Sequence, residues 1–369
     1  MADPAADPTA EETLVKLPLL PNAEPQPDEN LLPEEVSWTP LTLGSEKCVS
    51  TDLPLPASAR EPSFVCGEVA EMAKLHVDGH RFVDDDGRLV MLRGVNLGGS
   101  SKLPTSPVSM LTHLEGGTLP DGSHWSFYDG RSVSFVGRPF PLAEADEHLG
   151  RLRAWGFNLL RLIITWEAVE HAGPGEYDTE YLDYIRAVVE RAGSFGFWVY
   201  VDPHQDCWSR FTGGSGHPAW TLEEVGMDLR KLPAAAAAIT HQSTVGGGLE
   251  HMIWPTNAFK YAAATMFTLF WGGNKYAPQC KVRGEGVQEW LQRHYIAAIV
   301  VVASRLKGLG NVIGFGTMNE PLPGFLGLKR LDELVGPLRN GHMPTGFEVL
   351  ISLLNNFYLE YRLRALKRN

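Results

Sequence analysis

Residues 312–321 read Val-Ile-Gly-Phe-Gly-Thr-Met-Asn-Glu-Pro, so a short apolar run, Val312–Thr317, leads directly into polar side chains. Such a run predicts a strand of a parallel sheet, because helices cover both faces of these sheets and their strands are mostly apolar. Asn319 and Glu320 would then lie at the carboxyl end of the strand. Binding and catalytic side chains collect at that end in α/β folds. The stretch therefore predicts a functional site at these two residues.

The same pattern occurs three times earlier in the chain. The predicted strands are Leu89–Val95, Asn158–Ile164 and Phe197–Val201, which end in Asn96-Leu97-Gly98-Gly99, Thr165-Trp166-Glu167 and Asp202-Pro203-His204. The predicted helices are Leu142–Trp155, Thr179–Ala192, Ala258–Trp271 and Val287–Leu306. This α/β alternation indicates a parallel sheet, and polar strand ends favour a (β/α)8 TIM barrel over a doubly wound sheet. Gly98-Gly99 resembles the phosphate turn of a doubly wound sheet but lacks its third glycine and its helix.

The chain divides into three predicted segments. Residues 1–61 are acidic and proline-rich without an apolar period, which predicts a disordered arm. Residues 72–345 form the N-terminal half of the barrel, about the first four strand-helix units, and open with a hairpin around Asp86-Gly87. Residues 346–369 predict an amphipathic helix with a basic end. Too few residues follow Glu320 for three more units of about 30 residues each, so we expect a truncated gene model or a fragment.

Composition limits the classes of ligand and compartment. The 369 residues carry a formal net charge of −12, which disfavours nucleic acid as a partner. The four cysteines are widely scattered and form neither a disulfide framework nor a zinc pattern, and we expect no cofactor. The N-terminus lacks the features of a secretory signal, which predicts an intracellular, most simply cytoplasmic, protein. Ala258–Trp271 contains Lys260 and is too short for a transmembrane span.

Glu320 has the position of a general acid. Hydrolysis of a glycosidic bond uses one carboxylic acid to protonate the leaving oxygen and a second carboxylate opposite it. A carboxyl group that follows an apolar strand would project from a rigid backbone over the mouth of a barrel. The alternative is that Glu320 only caps a helix. The tripeptide Asn-Glu-Pro alone does not decide between the two, because it also occurs by chance.

Several motifs in order resemble family 5 glycoside hydrolases, in particular their fungal glucosylceramidase and steryl-β-glucosidase branch, which is related to endoglycoceramidases. The motifs are Arg93-Gly94-Val95-Asn96-Leu97-Gly98-Gly99, Leu160-Arg161-Leu162, Thr165-Trp166-Glu167-Ala168-Val169-Glu170-His171-Ala172-Gly173-Pro174-Gly175, Asp202-Pro203-His204-Gln205-Asp206 and Asn319-Glu320-Pro321. The resemblance covers about residues 72–345. It implies a retaining hydrolase with two glutamates, here a β-glucosidase for a glycolipid such as glucosylceramide or steryl glucoside.

The resemblance also implies roles for individual residues. Glu320 would be the acid/base, and Asn319 would bind the sugar 2-hydroxyl. His204 and Asp206 would bind glucose hydroxyls, although a His-x-Asp pair also suits a metal; no third ligand has convincing spacing, and we expect no metal. Arg161 would brace the catalytic carboxylates or form a structural ion pair.

Two further residues join the predicted substrate site. Lys102 resembles a lysine that borders the sugar in endoglycoceramidase relatives, although a solvated loop lysine is the commoner case. Trp166 follows a strand end, where its indole would stack on a sugar or line a lipid groove, and the alternative is a place in the core.

The nucleophile is the point at which the sequence departs from the family. In the family it is a glutamate at the end of strand seven, whereas Glu333, Glu348 and Glu360 follow no recognisable strand. The sequence thus predicts no nucleophile in this chain. Either the chain is part of an enzyme, or it is a non-catalytic half-barrel that pairs with itself or another chain through open sheet edges. A glycolipid substrate would also bring transient contact with a membrane surface.

Overall fold

The computed structural model of the chain describes residues 74–98, 100–106, 117–118, 124–240 and 254–328. The predicted disordered arm, the predicted C-terminal helix and the three remaining glutamates lie outside these ranges. The strands are β1 His76–Asp78, β2 Arg81–Val83, β3 Gly94–Leu97, β4 Gly117–Thr118, β5 His124–Trp125, β6 Leu159–Ile164, β7 Trp198–Pro203, β8 Lys281–Val282, β9 Glu285–Gly286 and β10 Val312–Phe315. The α-helices are α1 Ala145–Ala154, α2 Trp166–Glu170, α3 Thr179–Ser194, α4 Ala219–Glu224, α5 Tyr261–Tyr276 and α6 Val287–Leu306.

A parallel sheet with the order β3-β6-β7-β10 lies at the centre of the described residues. β3, β6 and β7 pair without a register shift, with Asn96 opposite Arg161 and Arg161 opposite Tyr200, whereas the pairing of β10 with β7 shifts between Val312 and Gly314. Leu160 and Leu162 are only 1% exposed, whereas the intervening Arg161 is half-buried on the other face. Consecutive parallel strands joined through helices are the arrangement of a (β/α)8 barrel. The sheet agrees with the predicted fold class, and the described residues hold four of its strands, the first three of them followed by helices.

The first strand of the sheet begins later than the sequence predicted. Leu89 forms a bridge with Val83, and the Val90 amide donates to the Phe82 carbonyl at 2.8 Å. These residues thus extend the N-terminal β1-β2 hairpin, and the prediction of a sheet strand at Leu89–Val95 is wrong at its start. β1 and β2 turn at Gly79, which has a φ of +59°. The predicted hairpin around Asp86-Gly87 also occurs, since Val83 and Leu89 pair antiparallel on either side of that turn.

The helices confirm the predicted periodicity, with two shifts. The predicted helix at 142–155 begins with a 3-10 turn, Leu142–Glu144, so that α1 starts at Ala145. A 3-10 turn, Trp254–Phe259, precedes α5, which consequently begins at Tyr261 and not at Ala258. The predicted helices at 179–192 and 287–306 occur as α3 and α6. Among the described residues, no helix has the length and apolar character needed to cross a membrane.

Candidate active site

A cluster of polar and charged side chains connects all four strands of the sheet near their carboxyl ends. The Arg161 guanidinium, from β6, lies 2.8 Å from an Asp202 carboxylate oxygen of β7 and donates to the Asn319 side-chain oxygen at 2.7 Å. A longer contact of 3.3 Å reaches the Asn96 side chain of β3. Because Arg161 occupies the amide oxygen, the Asn319 amide nitrogen is directed to the Gln205 carbonyl, at 3.1 Å. Arg161 thus fixes which way the Asn319 amide points.

His204, Asp206 and Lys102 form a row that continues from this cluster. His204 is 7% exposed, and its Nδ1 and Nε2 lie 2.7 Å and 3.2 Å from carboxylate oxygens of Asp202 and Asp206. The Lys102 ammonium donates to Asp206 at 2.5 Å. Burial acts to raise the pKa of Asp206, but hydrogen bonds from His204 and Lys102 prevail and lower it to about 2. Asp206 therefore remains an ionised acceptor throughout the neutral range.

The pKa of His204 is shifted in the opposite direction. Burial acts to lower it, but the hydrogen bonds to the Asp202 and Asp206 carboxylates prevail and raise it. The ring thus gains donor capacity on both nitrogens when it is protonated. A ring that can be protonated, next to an ionised acceptor, is an arrangement suited to binding neighbouring hydroxyl groups of a sugar.

Glu320 lies beside this row and lines a small cavity. It follows β10, is exposed, and has a φ of +38°, in the left-handed region that non-glycine residues seldom adopt. The cavity has a volume of about 190 Å³ and is lined by Gln205, Asp206, Cys207, Pro255, Ala258, Phe259, Glu320 and Leu322. The lining thus combines two carboxyl groups, of Asp206 and Glu320, with four apolar residues, Pro255, Ala258, Phe259 and Leu322, which we call the apolar wall.

Trp166 is not part of this surface. Its ring is 2% exposed, its indole N–H donates to the buried Glu170 carboxylate at 2.5 Å, and it packs edge-on against Trp220, His217 and Tyr295. The reason lies in Thr165, whose side chain caps α2 by accepting from the Ala168 amide. The chain turns into a helix directly after β6, and the helix carries the indole beneath the rim. The burial of Trp166 favours the alternative prediction, a place in the core, over contact with substrate.

A buried ion pair supports the loops around the site. Glu167 and Arg210 are 0% and 2% exposed, and the Arg210 Nε donates to Glu167 at 2.7 Å. The guanidinium also donates to the Phe127 and Asp129 carbonyls, at 2.6 Å and 3.0 Å. Burial raises the pKa of Glu167 although Arg210 acts to lower it. One arginine thus connects α2 to the segment before Gly130.

Glu170 is a second buried carboxyl group, at the end of α2. Burial raises its pKa to about 7, although the Trp166 indole and the Gly175 amide donate to it. In the unfolded chain the carboxyl group would titrate near 4.5. Between these two pH values the folded state holds a proton that the unfolded state has released. The stability that Glu170 contributes is therefore present below pH 4.5 and is lost as the pH rises through about 7.

Replacing Glu170 by Gln is expected to flatten this pH dependence. The free energy of unfolding of the parent chain should fall more steeply between pH 4.5 and 7 than that of the variant, because only the parent carries the titrating carboxyl group. Urea unfolding at the two ends of this range measures the difference. If the free energy of unfolding depended on pH identically in the two proteins, Glu170 would not have the raised pKa assigned to it.

The structure also adds two residues that were quoted in a motif but not assigned to the site. Asp202 bridges Arg161 and His204, and Gln205 contacts the backbone of Asn319 and Glu320. Asp202 was detectable in principle, because a carboxylate within an apolar strand needs a partner. Nothing local to Gln205 indicated its contacts. Among the residues that the structure describes, no group of three or more His, Cys, Asp or Glu side chains is placed to hold a metal ion.

Comparison with known proteins identifies a protein family that the chain matches. A family profile described as cellulase (glycosyl hydrolase family 5) matches residues 129–327. The chain is similar to a glucosylceramidase of Rhizopus delemar, with 46% identity over 72% of this chain and 38% of that protein. It is also similar to an ergosteryl-beta-glucosidase of Saccharomyces cerevisiae, with 42% identity over 75% of this chain and 38% of that protein.

The chain is also similar in structure to a solved protein. The crystal structure of Cryptococcus neoformans sterylglucosidase 1 superposes with a TM-score of 0.66 and 42% identity, and covers 76% of this chain and 39% of that one. The chain thus spans about two fifths of the length of the relatives it matches.

Proposed function

The chain belongs to glycosyl hydrolase family 5, and on this premise we propose that it supplies the acid/base half of a retaining β-glucosidase that acts on a glycolipid. Glucosylceramide and steryl glucosides are the substrates we favour, since similar proteins carry the names glucosylceramidase and ergosteryl-beta-glucosidase. The proposal depends most on one observation: Glu320 shares a cavity with an apolar wall.

In this proposal the apolar wall receives the aglycone. A general acid must reach the oxygen that leaves with the aglycone, so the space beside Glu320 is where the aglycone begins. Pro255, Phe259 and Leu322 are partly exposed around that space and offer no charged group. A sterol or lipid chain would bury apolar surface there, whereas a second sugar would leave its hydroxyl groups without partners.

The catalytic steps follow from the positions of the donors. Glu320 would give its proton to the glycosidic oxygen as the bond to the anomeric carbon breaks, and would later take a proton from water. Arg161 orients Asn319, whose amide nitrogen would donate to the sugar 2-hydroxyl as charge develops. The nucleophilic carboxylate is a further part of the proposal, for which we assign no described residue.

Glucose recognition would rest on His204, Asp206 and Lys102. We expect His204→Ala or Asp206→Ala to lower kcat/KM by roughly 10²–10³-fold, because each removes a hydrogen-bonding group from a preorganised site. EDTA should leave the activity of the parent enzyme unchanged. Loss of activity in EDTA, with recovery on addition of a divalent ion, would instead identify the pair as metal ligands.

A substrate panel tests the proposed function. An active preparation that contains this chain is assayed against glucosylceramide, a steryl glucoside, an aryl β-glucoside and cello-oligosaccharides. We expect the first three to be hydrolysed and the last to be poor substrates. Preference for cello-oligosaccharides would overturn the apolar aglycone site, and hydrolysis of none would overturn the function.

Self-association is also part of the proposal. Within the described ranges, the outer strands β3 and β10 each pair on one side only, and Phe315 is 37% exposed. Unpaired strand edges favour association with another chain. We therefore expect light scattering of the purified chain to give a mass above that of a monomer, and a monodisperse monomer would contradict this.

A further inference from the structure

The Gln205 side chain lies between β7 and the residues that follow β10. It is 1% exposed, and its amide nitrogen donates to two consecutive carbonyls, of Asn319 at 2.7 Å and of Glu320 at 2.9 Å. Its amide oxygen accepts from the Trp208 backbone N–H at 3.1 Å. The partners decide the orientation of the amide, because a carbonyl can only accept and an N–H can only donate. Both amide hydrogens and the amide oxygen are therefore engaged.

Gln205 is itself held in place by its surroundings. Gly216 approaches so closely that a Cβ atom there would lie 2.5 Å from the Gln205 Cβ, and Gly216 has a φ of +124°. The Asn319 side-chain amide donates to the Gln205 backbone carbonyl at 3.1 Å, and the Asn319 backbone N–H donates to the Pro203 carbonyl at 2.9 Å. The connection between the two strand ends is thus built from both sides.

The two carbonyls that accept from Gln205 belong to the peptide groups on either side of the Glu320 Cα. A φ of +38° is unfavourable for a residue with a Cβ and persists only where the surroundings impose it. Two hydrogen bonds to successive carbonyls fix the peptide planes on both sides of the Glu320 Cα. The direction in which the carboxyl group leaves the backbone depends on those planes.

We propose that Gln205 is a positioning residue for the acid/base chemistry of Glu320, an inference that rests on the proposed function. Gln205 lines the cavity beside Glu320, but its side-chain amide is engaged by Asn319, Glu320 and Trp208, and in this scheme it acts through the Glu320 backbone. A purely structural role would affect every substrate alike. A positioning role instead affects the substrates that need protonation, since displacement of a catalytic group by about 1 Å costs on the order of 10²-fold in rate.

The test is made on active enzyme that contains this chain, with the variant Gln205→Met. We expect kcat/KM to fall by roughly 10–100-fold for a glucoside with a poor leaving group and by less than about 3-fold for an activated aryl glucoside. Gln292→Met is the matched control, because Gln292 also donates to a backbone carbonyl, that of Phe270 at 2.6 Å, on another part of the fold. In Gln292→Met, the ratio of kcat/KM for the poor-leaving-group glucoside to kcat/KM for the activated aryl glucoside should equal that of the parent enzyme.

A second variant, Gln205→Glu, covers the case in which Gln205→Met does not fold. A protonated carboxyl group can donate to one carbonyl, whereas the ionised form repels both. Its activity relative to the parent enzyme should therefore decline as the pH rises through the titration of that carboxyl group. An equal loss on all substrates, or a relative activity independent of pH, would overturn the positioning role.

These outcomes are distinct from failure of the proposed function. If Glu320→Gln leaves the turnover of poor substrates unchanged, the acid/base assignment itself is wrong, whatever Gln205 does. If Glu320→Gln abolishes that turnover while the Gln205 variants act on all substrates alike, only the inference about Gln205 fails.

Discussion

Replacing Glu320 by Gln in active enzyme is expected to lower the turnover of glucosides with poor leaving groups by roughly 10²–10⁴-fold. The amide has nearly the same shape as the acid but carries no proton that it can transfer. Lipid alkoxides are poor leaving groups, so glucosylceramide and steryl glucosides should show the full effect. Initial rates with these substrates at saturating and subsaturating concentrations measure it.

Two controls accompany this variant. Glu180→Gln changes an exposed glutamate at the start of α3 and should leave all rates unchanged. The urea unfolding midpoint of Glu320→Gln should match that of the parent, because the Glu320 side chain is exposed. A loss of activity that followed a loss of stability would show that Glu320 supports the fold and not the chemistry.

Replacing Arg210 by Met is expected to reduce the free energy of unfolding by about 3–5 kcal/mol. The change leaves the fully buried Glu167 carboxylate without its countercharge and removes donors from the Phe127 and Asp129 carbonyls. The Glu167 pKa should rise further, so part of the stability should return at acidic pH. Urea unfolding at neutral and acidic pH measures both effects.

A double variant and an exposed pair serve as controls. In Arg210→Met/Glu167→Met neither charge of the buried pair remains, and most of the lost stability should be recovered. Arg131→Met removes an exposed ion pair with Glu223 and should cost less than about 1 kcal/mol. If the Arg210→Met variant were as stable as Arg131→Met, the buried pair would not have the role we assign to it.

The fold was largely predictable because its signals are local. Apolar runs ending in polar residues identified β6, β7 and β10, and apolar periodicity identified α3 and α6. The start of β3 was missed because Leu89 pairs with Val83, and the apolar residues 89–92 satisfy a hairpin as well as a sheet strand. A hairpin strand and a strand of the parallel sheet can be distinguished here only by knowing which residues pair with residues 89–92.

The candidate site was predictable where a side chain follows a strand. His204, Asp206, Asn319 and Arg161 lie together because parallel strands bring their carboxyl ends to one edge. The burial of Trp166 was not predictable, because Thr165 caps α2 and redirects the chain one residue earlier, and an indole at a strand end gives no sign of that turn. Gln205 was missed because its side chain contacts a backbone 114 residues away.

The measurement that tests the central claim most directly is the dependence of kcat/KM on leaving-group acidity for a series of aryl β-glucosides, in the parent enzyme and in Glu320→Gln. If Glu320 is the acid, the parent should show a shallow dependence and the variant a steep one, with the two lines converging for the most acidic leaving groups. Parallel lines would mean that Glu320 does not transfer the proton, and would contradict the account.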